Sequence, residues 1–316
     1  MARPPHNRPI AFPSQDDMPH DPVTATASPA LAPLLPRASS PLVFLEHVNL
    51  TQPDQQLATL FYVVALGFTR DPFLMVGLDN MWVNIGRTQM HLPTRRTPQR
   101  LRGRIGLTVP WLRELPARLE ALRGPLAHTA FDVRVEPDRL DLHCPWGNAF
   151  SLHAAPPGET LPGIAYVELD VPAGAAQGIG RFYTELLGAP ATLMALGDGL
   201  QQAVVPLASG QSLRFAETRS PLPGYDGHHV QLYLDRPEDA HRRLGARGLL
   251  HGDRGAQDWR FTQIVDPADG RPIYQLEHEM RGCAHPLFGR RLVNRNPAQR
   301  LSAYRPGEDA LPDARP

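Results

Sequence analysis

Lysine is absent from this chain, and all 32 of its Lys+Arg positions are arginine. That excludes Schiff-base chemistry on a lysine amine. Cysteine is scarce: Cys144 and Cys283 lie far apart and form no CxxC spacing. A disulfide framework is therefore excluded, and a reduced, cytoplasmic setting is the simplest expectation. Neither sign of charge is in surplus, because 32 acidic residues balance the arginines. Nucleic acid and anionic membranes favour a basic surplus, so neither is expected as a partner. No apolar run approaches the roughly 18 residues needed to span a bilayer. The N-terminal stretch MARPPHNRPIAFPSQDD has no apolar centre of the kind a secretory signal carries. The GxSxG, P-loop and strand-following GxGxxG patterns are missing too, which leaves hydrolase, nucleotide and dinucleotide readings unsupported.

What is present suits a globular protein with substantial cores: 42% hydrophobic and 20% charged residues over 316 positions, enough for about two domains. Residues 1–40 are rich in Pro and Ala without sustained periodicity, and read as a disordered tail. Residues 281–316 form a polar, proline-bearing arm or tail, in which HPLFGRRLV could dock.

Between these ends the chain repeats itself. LATLFYVVALGF (57–68) matches IGRFYTELLGAP (179–190), each with apolar residues at helical spacing and a Gly past the last turn. LRELPARLEALRG (112–124) and PEDAHRRLGARG (237–248) follow the same plan. Each helix pattern follows a strand pattern, FLEHVNL, GRIGLTV, IAYVELDV or HHVQLYL, and precedes further strands separated by GLDN, CPWGN, ASGQ and DPADG turns. The expected fold class is α+β: four βαβββ units, paired into two modules at 41–155 and 160–280, whose mixed sheets curl into barrel-like cups.

Strand alternation assigns the cup residues. In FLEHVNL, Phe44, Val48 and Leu50 suit the helix-packed face, so His47 and Asn49 face the cup. In QMHLP, Met90 and Leu92 pack inward and His91 joins His47. The second unit contributes Arg104, Gly106, Thr108, Ser151 and His153. The third contributes Tyr166, Glu168 and Arg214, and the fourth His229, Gln231, Tyr233, Gln275 and Glu277. First-to-last-strand separations of 44, 47, 48 and 46 residues (47 to 91, 104 to 151, 166 to 214, 229 to 275) support the repeat.

LEHVNL with a helix ending in LGF, and closing segments CPWGNAFSLH and VDPADGRPIYQLEH, resemble the vicinal oxygen chelate superfamily (glyoxalases, bleomycin-resistance proteins and extradiol dioxygenases) over about 42–280. The resemblance implies a divalent metal in a cup, held by His, Glu or Gln from first and last strands, which chelates two neighbouring substrate oxygens as a Lewis acid. Two His and a carboxylate suit iron(II) oxygen chemistry, with manganese, zinc and nickel as the other candidate ions. Carried over by position, His47 with His91, or His229 with Glu277, would be metal ligands. Glu277 would also serve as general base, with Tyr166 as a second catalytic candidate. Arg104, Arg214 and Tyr233 would contact substrate, the arginines by clamping a carboxylate or phosphate.

The sequence departs from the family pattern at Tyr166 and Arg214 in one module, and at Arg104 and Ser151 in the other. Two readings stay open. One is a metal-dependent lyase, isomerase or ring-cleaving dioxygenase acting on a small oxygenated molecule. The other is a metal-free protein of the same fold that sequesters a small ligand. A homodimer wrapped by the C-terminal arm is a further expectation.

Overall fold

The structure is a computed structural model that describes residues 40–74 and 79–312; the expected N-terminal tail, apart from Ser40, lies outside the described residues. Four units follow in order. The first is β1 (Leu42–Asn49), α1 (Gln55–Ala58, continued as a π-helical turn over Thr59–Ala65), β2 (Thr69–Arg70), β3 (Asn80–Ile85) and β4 (Thr88–Pro93). The second is β5 (Gly103–Val109), α2 (Leu115–Glu120), β6 (Asp132–Val135), β7 (Arg139–His143) and β8 (Ala149–Ala154). The third is β9 (Gly163–Pro172), α3 (Ala176–Leu186), β10 (Thr192–Gly197), β11 (Leu200–Pro206) and β12 (Ser212–Thr218). The fourth is β13 (His229–Leu234), α4 (Glu238–Gly245), β14 (Leu250–His251), β15 (Asp258–Val265) and β16 (Pro272–Gly282). The short strands β2, β14 and the exposed β10 complete three-strand runs that sequence alternation showed only in part.

Local chemistry starts and stops the helices as the pattern demands. The Asp54 carboxylate accepts from the Gln56 and Leu57 N–H groups at 2.7 and 3.1 Å, capping α1. Gly67 and Gly188 adopt φ of +79° and +70° just past the first and third helices, a conformation that costs glycine little.

The four units make two eight-stranded sheets, and the sheets do not follow the halves of the chain. One sheet runs β14-β15-β16-β13-β1-β4-β3-β2, joining the first unit to the fourth. The other runs β10-β11-β12-β9-β5-β8-β7-β6, joining the second to the third. The seams are antiparallel, β1 with β13 and β5 with β9, while each first strand lies parallel to its own last strand. Neither sheet closes into a barrel.

Helices lie between the two sheets. Phe61 and Tyr62, from the helix of the first unit, meet Phe150 on β8 with ring centroids 5.9 and 6.0 Å apart. Phe182 of α3 meets Phe261 on β15 at 5.6 Å, and Tyr183 touches both Phe215 on β12 and His278 on β16. One continuous apolar core results. It consumes the Val48, Met90, Phe150 and Leu152 side of each strand and leaves the opposite, concave faces for polar residues.

The C-terminal segment docks on its own chain. Phe288 packs on Tyr233 at 4.8 Å, Arg290 reaches Asp71 and Gln89, and Asn294 exchanges two hydrogen bonds with the backbone of Gly86. Arg295 and Ala310 then form a bridge that folds the end back on itself.

Candidate functional site

The concave face of the first sheet carries the histidines. β1 and β13 pair His47 with Gln231 and Asn49 with His229, so both histidines stand at the seam between units. A bulge at Glu46, where Leu45 pairs with Leu232 but His47 with Gln231, inserts one extra residue. It turns Glu46 and His47 to the same face, the kind of re-aiming that bulges provide. Glu46 then sits 3.2 Å from His47 Nδ1 and 3.3 Å from Arg281.

His47 Nδ1 is thus oriented by a carboxylate while its Nε2, fully buried, finds no hydrogen-bond partner among the described residues. Opposite it, Gln231 is 0% exposed with both amide atoms unpartnered. Buried polar groups are almost always satisfied, so two such orphans paired across the β1–β13 seam single out this part of the concave face. His47, His229 and Glu279 each offer a ligand atom there, all within 4.8 Å of one another.

Glu279 is the residue that sequence spacing missed. The parallel ladders pair Asn49 with His91, Glu168 with Arg214, Gly106 with Ser151 and Gln231 with Glu279. Position by position, Glu279 is therefore the counterpart of His91, Arg214 and Ser151. The fourth unit is longer between its first and last strands, so a constant separation of about 46 residues stops short of it. The register of β13 on β16 was the missing information.

Glu277 lies on the same face two residues earlier, with its carboxylate 3.8 Å from His229 Nδ1. His229 Nε2 lies 3.6 Å from Glu279. Arg260 bridges Glu277 and Glu279, and Arg281 bridges Glu279 and Glu46. Three carboxylates face two arginines, so the cluster keeps one negative charge in excess. Burial would raise the Glu279 carboxyl, but His229, His47, Arg281 and Arg260 outweigh it and hold the group far below the usual carboxylate range. Burial depresses His229 and keeps it neutral, the state in which an imidazole can ligate.

His91 stands beside this group. Its ring centroid is 6.0 Å from that of His47, but Nε2 is engaged with Asn80 at 2.6 Å and the ring stacks on Trp82 at 3.8 Å. Burial and the neighbouring histidines push it down to about 2. It forms a wall of the site. Tyr233 lies on the same concave face, at the end covered by Phe288, and burial raises its phenol so that it remains a donor.

The structure does not bring Tyr166, Arg104 and Arg214 to these histidines. They lie together on the concave face of the other sheet. The Arg214 guanidinium sits 3.9 Å over the Tyr166 ring, and Tyr166 Oη lies 3.1 Å from His153. Gly106 allows this, since a Cβ there would stand 2.1 Å from the Tyr166 ring.

The architecture has counterparts among solved structures. Glyoxalase I from Zea mays superposes with a TM-score of 0.53 at 13% identity, over 75% of this chain and 92% of the maize chain. A Bacillus subtilis protein provisionally described as a dioxygenase gives 0.52 at 12% identity, over 76% and 85%. The chain has the two-module vicinal oxygen chelate fold. No protein-family model matches the sequence, and neither does any curated protein. The likeness is thus one of architecture. Among the described residues no helix is long and apolar enough to cross a membrane.

Proposed function

We propose that the first sheet is the working cup of a divalent-metal-dependent enzyme of the glyoxalase and dioxygenase type, acting on a small oxygenated organic molecule. The observation that carries this reading is the cluster of His47, His229 and Glu279, whose ligand atoms lie within 4.8 Å of one another while His47 Nε2 has no hydrogen-bond partner among the described residues. Two imidazoles and a carboxylate are a donor set that suits iron, manganese, zinc or nickel, and the local excess of negative charge favours a cation. His47, His229 and Glu279 would hold the ion, which would polarise the substrate oxygens as a Lewis acid.

The remaining residues have their own tasks. Glu46 fixes the His47 ring through Nδ1, so that Nε2 points inward. Glu277, beside His229 and not needed as a ligand, is placed to accept a proton from substrate. Arg260 and Arg281 partly neutralise the carboxylates and hold them in place. Tyr233 would donate to a substrate oxygen from the covered end.

The runner-up is a metal-free binding protein of this fold. One observation favours it: both Glu279 oxygens are already claimed by arginines. Elemental mass spectrometry on protein purified without a histidine tag separates the two. Near one equivalent of a transition metal per chain, lost in Glu279→Ala, supports the enzyme. No metal as purified and none after reconstitution overturns it.

A further inference from the structure

The register that equates Glu279 with His91 also equates the two cups residue by residue. The four positions filled by His47, His91, His229 and Glu279 in the first sheet are filled in the second by Tyr166, Arg214, Arg104 and Ser151. Lone-pair donors in one cup are replaced by hydrogen-bond donors and cations in the other. The two arginines cannot ligate a divalent metal, and no imidazole or carboxylate stands at any of the four positions. We infer that the second concave face is a separate binding site for a small oxyanion, a phosphate or a carboxylate.

The local contacts leave Arg214 short of partners and Arg104 only loosely paired. Arg214 makes no ion pair among the described residues; it rests on the Tyr166 ring and donates through Nε to Ser212 at 3.1 Å. Stacking of this kind holds a guanidinium plane still while its outer N–H groups remain available. Arg104 is 42% exposed and donates to Ser151 at 3.2 Å. Its two neighbouring acids stand off, Asp141 at 3.8 Å and Glu168 at 3.7 Å. Each makes its closer contacts elsewhere, Asp141 with Ser151 and Arg139, Glu168 with Gln202. The Arg214 guanidinium held flat on Tyr166, with the half-exposed Arg104 beside it, offers the planar fork by which arginine grips carboxylate and phosphate.

The test is calorimetric titration of the full-length protein, at fixed ionic strength, with inorganic phosphate and separately with malonate. One equivalent per chain of either anion is expected, weakened at least tenfold in Arg214→Gln and in Arg104→Gln, and unchanged in His47→Ala. The tighter of the two anions identifies the group recognised. Arg214→Lys, which keeps the charge but not the fork, should bind more weakly than wild type. Far-UV circular dichroism checks that each variant is folded. No saturable binding of either anion would overturn the assignment. So would binding that survives both arginine variants, or that is lost in His47→Ala instead.

Discussion

His278 shows how the face of the strand decides what a histidine can do. It sits one residue from both Glu277 and Glu279 but points into the core, stacked on Phe261 at 4.1 Å, with Nε2 2.5 Å from the Tyr183 hydroxyl. Burial pushes it down to about 3 from an ordinary 6.5. The sign of its pH effect follows. Below pH 6.5 the unfolded chain takes up a proton that the native state refuses, so stability falls as pH falls. The loss from this one group is about 1.4 kcal/mol per pH unit between roughly pH 6 and 3. Glu279, held low, adds to the loss at the acid end, because its stabilisation vanishes once it must be protonated. Urea midpoints measured from pH 7 to 4 should therefore drop steadily, and a flat profile would contradict the buried neutral histidine. On the other sheet, Gly106→Ala would drive a methyl into the Tyr166 ring. Overpacking of this kind costs typically about 1–3 kcal/mol. Thermal unfolding should show that loss, and Tyr166→Ala in the same chain should restore part of it.

Individual strands were legible in the sequence because alternation is a local signal. Strand alternation puts His47, His91 and His229 on the concave face, and the structure has all three there; it departs at Phe44, expected on the helix-packed face, because the bulge at Glu46 sends Leu45 into the core instead and pairs Phe44 with Tyr233. Glu279 was not legible, since its place depends on the register of β13 on β16 and on the length of the fourth unit. The bulge at Glu46 left no mark either: a strand with one extra residue reads the same until its partner is known. The C-terminal arm was legible as a segment that could dock, but its seat was not. That seat rests on Asp71, which is 0% exposed. Burial opposes its charge, but the Leu74 and Phe73 N–H groups and the Arg290 guanidinium outweigh burial and lower its carboxyl. Arg290→Ala removes one charged partner and should cost roughly 1.5–3 kcal/mol. The check is chemical denaturation together with proteolytic release of the residues that follow β16. Resistance equal to wild type would mean that the arm is held elsewhere.

At the scale of the whole molecule, four similar units could pair in more than one way, and no local pattern chooses among them. The first unit joins the fourth and the second joins the third, so the histidine cup draws on both ends of the described chain while the arginine cup lies within its middle. Each cup lies within one sheet, so the departures at Tyr166 and Arg214 from the family's ligand pattern fall outside the histidine cup. The central claim is that His47 and His229, distant in sequence, serve one ion. Calorimetric titration of metal-stripped protein with zinc tests it most directly, using wild type, His47→Ala, His229→Ala and Arg104→Gln. The account predicts one equivalent per chain in wild type and in Arg104→Gln, and no such binding in either histidine variant. Ion bound at a hundred times its dissociation constant should also stabilise the wild-type fold by about 2.7 kcal/mol. Full stoichiometry persisting in one histidine variant, or lost in Arg104→Gln, would contradict it.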